Sequence, residues 1–238
     1  MNLLITICAR GGSKGIPGKN IKLLNGKPLL HYTLAMAQKF GERYKADILL
    51  STDSQDILDC AAQLGYTTDY QRPKKLASDS AGKIDAIRDA WIYAERSFNR
   101  NYDFILDMDV TSPLRSLDDL EHAFQKVRST PEALNIFSVN PAARNPYFNM
   151  VEERNDGFVN VVKSGVNFKS RQEAPKVYDM NASFYFFSRD FFVQNCPVST
   201  TDRSLAFVMS HICFDLDHPH DFTLLELMIQ NHLLDIQI

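Results

Sequence analysis

An apolar run, Leu3 to Cys8, delivers the chain into Ala9-Arg10-Gly11-Gly12-Ser13-Lys14-Gly15-Ile16-Pro17-Gly18-Lys19-Asn20. Four glycines in eight residues let backbone N–H groups turn toward an anion without side-chain obstruction, and Arg10, Lys14 and Lys19 add positive charge. The chemistry this favours is the binding of phosphate. No G-x-x-x-x-G-K-S/T pattern can be laid over the loop, and the adjacency of Gly11 and Gly12 breaks G-x-G-x-x-G, so it is neither a P-loop nor a dinucleotide fingerprint. Near the other end of the chain, Asp215 and Asp217 alternate with Phe214 and Leu216. On a strand both carboxylates would leave one face while the apolar pair enters the core. Such a pair suits magnesium, which takes one or two carboxylates beside phosphate oxygens and retained waters. Asp107, Asp109 and Thr111 share one face in the same way if strand geometry continues beyond Leu106.

Two such groups, far apart in sequence, need a scaffold that brings them together. Leu3 to Cys8, Ile48 to Ser51, Phe104 to Leu106, Ile136 to Val139, Ser183 to Phe187 and Ile212 to Leu216 read as strands. Pro28 opens a helix with Leu29, Leu30, Leu34 and Ala37 on one face, and a second helix, Ser54 to Leu64, stops at Gly65. Asp79 or Ser80 is the candidate cap of a helix carrying Ile84, Ile87, Trp91 and Ala94. Ser116 and Asp119 form a capping-box pattern, and the last helix follows Pro219. Strand and helix alternate through about residue 130, the pattern of a parallel sheet covered on both faces. Ligands of such sheets gather at the carboxyl ends of strands, where the glycine-rich loop lies. From about 140 to 178 the text becomes rich in Asn, Pro and Arg, with an alternating Phe158 to Val162 segment, and predicts an excursion of loops and short antiparallel strands.

The 238 residues fit a single α/β domain, 1–238, and 45% hydrophobic residues are enough for a substantial core. A net charge of −3 argues against a nucleic-acid binder, so the basic cluster of Arg10, Lys14, Lys19, Lys22 and Lys27 serves a local anion. No stretch approaches the roughly 20 apolar residues that a bilayer crossing needs, so no membrane partner is expected. Cys8, Cys60, Cys196 and Cys213 form no C-x-x-C pair, and the six histidines form no metal-ligand constellation. The N-terminus runs straight into a strand without a secretion pattern, so a cytoplasmic location is expected.

The Ala9 to Gly15 loop with Pro17-Gly18-Lys19-Asn20 resembles the nucleotide-binding signature of the acylneuraminate cytidylyltransferases, the CMP-sialic acid synthetase family. Ser51-Thr52-Asp53, Arg72-Pro73 with Leu76-Ala77-Ser78-Asp79, Thr111-Ser112-Pro113-Leu114-Arg115 and Asp215-Leu216-Asp217 continue the likeness in the family's order. The resemblance implies a Rossmann-like nucleotidyltransferase sandwich of three layers with a mostly parallel sheet, a homodimer built partly by the excursion, and magnesium as cofactor. It also implies attack by the anomeric hydroxyl of an acidic nonulosonic sugar on the α-phosphate of CTP, with pyrophosphate leaving. An eight-carbon ketodeoxyoctonate acceptor and a non-catalytic nucleotide-binding module are the alternatives.

Catalysis of this kind needs charge neutralisation and alignment rather than covalent help. Arg10 and Lys19 are the candidates for neutralising the triphosphate, and Asp217, with Asp215, for the metal. By resemblance Ala9, Gly12, Ser13, Asn20, Arg72 and Ser80 complete the nucleotide site. Arg171 corresponds to an arginine that meets the sugar carboxylate, while Asn181 and Tyr185 fall at sugar-pocket positions. Two places depart from the sialic acid pattern. Asp109 stands, ahead of Thr111, where those enzymes carry glutamine, and is expected to hold metal or substrate. Asp179 stands where a second arginine is common, and the runs from Arg144 to Glu152 and from Tyr178 to Ser183 look closest to the legionaminic acid branch.

Overall fold

Leu3, Ile5 and Ile7 bury on one side of the first strand while Leu4 buries on the other, because both faces of a parallel sheet are covered and polar alternation would be costly there. The structure, a computed structural model, describes residues 1–238 except Lys14, Val166, Asn167, Lys169 and Arg171. In chain order the first half contains β1 (Leu3–Cys8), β2 (Leu23–Leu24), β3 (Lys27–Pro28), α1 (Leu29–Tyr44), β4 (Asp47–Ser51), α2 (Gln55–Gln63), α3 (Lys83–Ser97), β5 (Phe104–Met108) and α4 (Leu117–Arg128). The second half contains β6 (Asn135–Pro141), β7 (Val151–Glu153), β8 (Val159–Val161), β9 (Tyr178–Ser188), α5 (Arg189–Val193), β10 (Ser204–Val208) and α6 (Pro219–Gln230).

The main sheet has the order β10-β6-β9-β5-β1-β4. β1 pairs parallel with β4 and β5, β10 pairs parallel with β6, and β9 runs antiparallel to both of its neighbours. One face of the sheet meets α1, α2, α4 and α6 through Leu34, Phe40, Ile57, Phe124 and Leu225; the other meets α3 and α5 through Ile87, Trp91 and Phe191. These are the three layers expected. Phe124 shows how the first layer locks, with its ring against those of Phe40, Tyr44, Phe104 and Phe186. Among the described residues no helix is long and apolar enough to cross a membrane.

Local signals placed most elements. Ser116 Oγ accepts from Asp119 N at 3.1 Å and Asp119 Oδ2 accepts from Ser116 N at 2.7 Å, so the capping box forms and starts α4. The excursion is an arm carrying the β7–β8 hairpin in its own small sheet. Two expectations need correction. The cap of α3 is Gly82, and Asp79 and Ser80 precede it in a loop. Ile212 to Leu216 forms no strand: Leu216 N donates to Thr111 O at 2.9 Å, and the sheet edge is taken by β10 instead.

Candidate active site

The loop after β1 is shaped by close approach. Gly18 adopts φ 64°, a left-handed conformation that favours glycine, and starts the short helical turn Lys19–Ile21. At Gly15 an added Cβ would lie 2.5 Å from the carbonyl oxygen of Asp217, so only glycine lets the loop meet that backbone. Asp217 is itself fixed from α6: its N–H and that of His218 donate to Asp221 Oδ2 at 2.9 and 2.6 Å. The far end of the chain is thereby seated against the first loop. Lys19 Nζ lies 3.2 Å from Asp217 Oδ1, whose side chain is 66% exposed.

Around this contact is a cleft of about 390 Å³ lined by Arg10, Ser13, Lys19, Asn20, Arg72, Asp109, Thr111 and Asp217. Each wall has a reason for its position. Asn20 Nδ2 donates to Arg10 O at 2.9 Å and Asp53 Oδ1 accepts from Gly11 N at 2.9 Å, which fixes the loop backbone. Arg10 reaches Ser78 O at 3.1 Å and Asp79 Oδ1 at 3.0 Å. Arg72 is buried and donates to Ser51 Oγ and Ser51 O at 2.9 and 2.8 Å, so its guanidinium is oriented before any ligand arrives.

The floor is charged. Thr6 on β1 pairs with Asp107 on β5, and its hydroxyl donates to Asp107 Oδ1 at 2.9 Å. Lys83 Nζ lies 2.8 Å from Asp109 Oδ2 and 3.1 Å from Asp107 Oδ2, the second an ion pair without hydrogen-bond alignment. Thr111 N and Oγ1 both donate to Asp109 Oδ1 at 2.9 Å. Burial alone would raise the Asp109 carboxyl, but Lys83 and Thr111 bring it down to about 2. Burial would likewise lower the Lys83 ammonium, yet Asp109 and Asp107 hold it well above the ordinary lysine range. Burial, then Asp107, pushes the Cys8 thiol up to about 12, which makes it an inert wall rather than a nucleophile.

Asp215 has a different environment. Its Oδ1 is buried without a hydrogen-bond partner. Burial, with Asp109 and Asp217 nearby, pushes its carboxyl up to about 6. A hard divalent cation held by Asp215 and Asp217 would relieve that repulsion and would supply the missing partner, so these carboxylates fit magnesium. Among the described residues no group of three or more His, Cys, Asp or Glu side chains could hold a metal.

The cytidylyltransferase family model matches residues 4–238. The chain belongs to the cytidylyltransferase family. It is 41% identical to a post-translational flagellin modification protein B of Campylobacter coli, over 96% of this chain and 95% of that protein. It is 38% identical to a CMP-N,N'-diacetyllegionaminic acid synthase of Campylobacter jejuni, over 95% of this chain and 94% of that one. The solved CMP:2-keto-3-deoxy-manno-octonic acid synthetase complexed with CTP shares the fold, with a TM-score of 0.69 at 15% identity, covering 98% of this chain and 100% of the other.

Within this cytidylyltransferase the expected residues divide into four groups. Arg10, Ser13, Lys19, Asn20, Arg72, Asp109, Thr111 and Asp217 share the cleft, and Asp215, outside its lining, lies close enough to feel the charges of Asp109 and Asp217. Gly12 leaves open space where a side chain would be, and exposed Ser80 lies beside the rim, its hydroxyl 3.2 Å from that of Ser78. Others already have partners within the fold. The Ala9 side chain is core, its N–H bonded to Ser51 O at 2.9 Å. Asn181 is committed to the scaffold: Oδ1 accepts from Ser138 Oγ at 2.5 Å, Nδ2 donates to Asn140 Oδ1 at 2.6 Å, and its carbonyl accepts from Ser112 Oγ at 2.6 Å. Tyr185 sits beside the cleft with its ring 4.7 Å from Lys83 Nζ, and both Asp109 oxygens are already bonded, which leaves it little capacity as a metal ligand. Arg171 and Lys14 lie outside the described residues. Sequence reasoning missed Lys83, whose only local signal was a cation at the first position of a helix.

Proposed function

We propose that this chain transfers CMP from CTP to the anomeric hydroxyl of a nine-carbon acidic sugar, N,N'-diacetyllegionaminic acid or N-acetylneuraminic acid, releasing pyrophosphate. The observation that carries the reading is the 3.2 Å contact between Lys19 and Asp217, which joins the cationic loop to the acidic segment in one cleft. The relatives named above, one of them a legionaminic acid synthase at 38% identity over nearly the whole chain, favour the nine-carbon class over the eight-carbon one.

In this reading Arg10, Lys19 and the N–H groups of the loop hold the triphosphate, and pre-oriented Arg72 lines the nucleotide side of the cleft. The sugar hydroxyl forms its bond to the α-phosphorus as the bond to the pyrophosphate oxygen breaks, and the cationic side chains stabilise the charge that grows on the leaving group. Asp215 and Asp217 would hold Mg2+, whose chemistry there is neutralisation of the triphosphate. Ser13, Asn20, Gly12, Ser80 and Thr111 line or border the bound substrates, and Arg171 is the partner assigned to the sugar carboxylate. The active species is a homodimer. Exposed Met150, Val151, Phe158, Val159, Tyr178 and Met180 concentrate apolar surface on and beside the arm, which suits a subunit contact. A cytoplasmic location suits four free cysteines.

The test is pyrophosphate release from CTP and magnesium with legionaminic, sialic, pseudaminic and ketodeoxyoctonic acids side by side. Fastest release is expected with legionaminic acid. Preference for the eight-carbon acid would replace the acceptor assignment, and no release with any acid would leave a nucleotide-binding module.

A further inference from the structure

Lys83 opens α3, where a cation meets the positive end of the helix dipole. Helix formation does not favour lysine there, so its placement has a tertiary cause. Its ammonium is gripped by Asp109 and Asp107 and lies over the face of Tyr185. Even so, 34% of the side chain remains exposed. The residue lines the cleft with Arg72 and Asp109, and it also lines an adjoining cavity of about 240 Å³ walled by Ile87, Tyr185, Phe187, Pro197 and Val198. Lys83 therefore stands at the seam between a polar cleft and a mostly apolar one. An ammonium has three N–H donors. Asp109 takes one in an aligned bond and Asp107 lies within ion-pair range, which leaves a donor for a ligand.

We propose that Lys83 is a specificity-determining residue for the acceptor sugar, donating a hydrogen bond to a neutral oxygen, hydroxyl or amide carbonyl, on the part of the sugar that reaches the seam. Asp109 is its positioning residue. The inference rests on the CMP-transfer reading. A neutral oxygen is favoured over the sugar's carboxylate because one ammonium is accompanied by two aspartates within 3.1 Å, and a third negative charge would meet net repulsion. The ammonium stays protonated, so it donates and does not abstract. Asp109 acts through it, since Thr111 occupies the other carboxylate oxygen and fixes the geometry.

The experiment measures steady-state pyrophosphate release for wild type, Lys83→Met, Lys83→Arg and Asp109→Asn, using the acid that wild type turns over fastest. Each substrate is varied with the other saturating. Lys83→Met is expected to raise the acceptor KM roughly 10- to 100-fold, the size of one lost charge-assisted hydrogen bond, while the KM for CTP stays within about two-fold. Lys83→Arg should recover part of the acceptor affinity, and Asp109→Asn should raise the acceptor KM by less than Lys83→Met. An unchanged acceptor KM in Lys83→Met, or equal rises in both KM values, overturns the proposal. Because Lys83→Met leaves two aspartates without their cation, the double variant Lys83→Met, Asp109→Asn is assayed beside calorimetric CTP binding. Wild-type CTP affinity with a raised acceptor KM supports the inference; lost CTP affinity, or a wild-type acceptor KM, marks Lys83 as scaffold and ends it. Wild type that releases no pyrophosphate with any acid removes the CMP-transfer reading and this inference together, whereas active wild type with a silent Lys83→Met removes only the inference.

Discussion

Lys19 is delivered to the cleft by backbone as much as by its own side chain, because the left-handed Gly18 turns the chain immediately before it. Its ammonium faces Asp217 and lines the space assigned to the triphosphate. Lys19→Met should lower kcat/KM for CTP by about 100-fold or more, as loss of a preorganised charge-stabilising donor does, with an unchanged thermal midpoint. Steady-state kinetics beside thermal unfolding checks both halves. At this scale much could be read from the sequence: Arg10, Lys19 and Asp217 declare themselves by local spacing with glycines and apolar neighbours. Lys83 and Asn181 could not be read this way. The first acquires its setting from Asp107 on β5 and Asp109 just beyond it, and the second is used up by Ser138, Asn140 and Ser112, none of them neighbours in sequence.

Elements are joined to the site by a few close contacts. The approach of Gly15 to the Asp217 carbonyl leaves no room for a methyl group, and backbone cannot yield as a flexible side chain would. Gly15→Ala should therefore separate the loop from the acidic segment, and a displacement of about 1 Å is enough to cost on the order of 100-fold in kcat/KM. Retained secondary structure by circular dichroism with that loss would locate the effect in the site. A second contact joins the segment before Asp215 to α4. His211 Nε2 lies 2.8 Å from Asp119 Oδ2 and Nδ1 lies 2.9 Å from Ile212 O, so both ring nitrogens face acceptors and the imidazolium is favoured. Burial opposes this, but Asp119 and Ile212 raise the His211 pKa above 6.5, while His211 and Ser116, against burial, lower that of Asp119 below 3.8. The histidine contribution to stability is fully present below pH 6.5 and is lost as pH rises through the higher folded value. The aspartate contribution is present above pH 3.8 and is lost as pH falls through the lower one. Thermal midpoints should hold between these limits and decline above, and His211→Gln should remove the alkaline decline. Ile212 to Leu216 misled as a strand because its residues are mostly apolar, yet burial does not alternate along it: Ile212 is exposed while Cys213 and Leu216 are buried. It packs Leu216 inward and leaves Asp217 out, but among the described residues a single backbone-to-backbone bond, to Thr111, holds it, whereas Ser204 to Val208 gains its strand character from pairing with β6. Local pattern specifies facing; ladder membership depends on partners far along the chain.

The whole molecule was legible as a covered parallel sheet with an arm, because strands buried on both faces advertise themselves as continuous apolar runs. The arm's assembly is testable. Phe158, 69% exposed on the hairpin, should act as an anchor between subunits, and Phe158→Asp should shift the sedimentation coefficient from dimer to monomer. An unchanged coefficient would remove the arm from the subunit contact. The central position of β9 has a consequence for how the protein comes into being. Hydrogen-bonded to β5 on one side and β6 on the other, it is, among the described residues, the one strand that joins the β4-β1-β5 half to the β6-β10 half. Until that segment has emerged and threaded inward, a nascent chain carries the β4-β1-β5 sheet with a bare inner edge and a β6 whose two neighbours are both still to come, so completing the barrier-crossing step must await a keystone that arrives after the arm has been made.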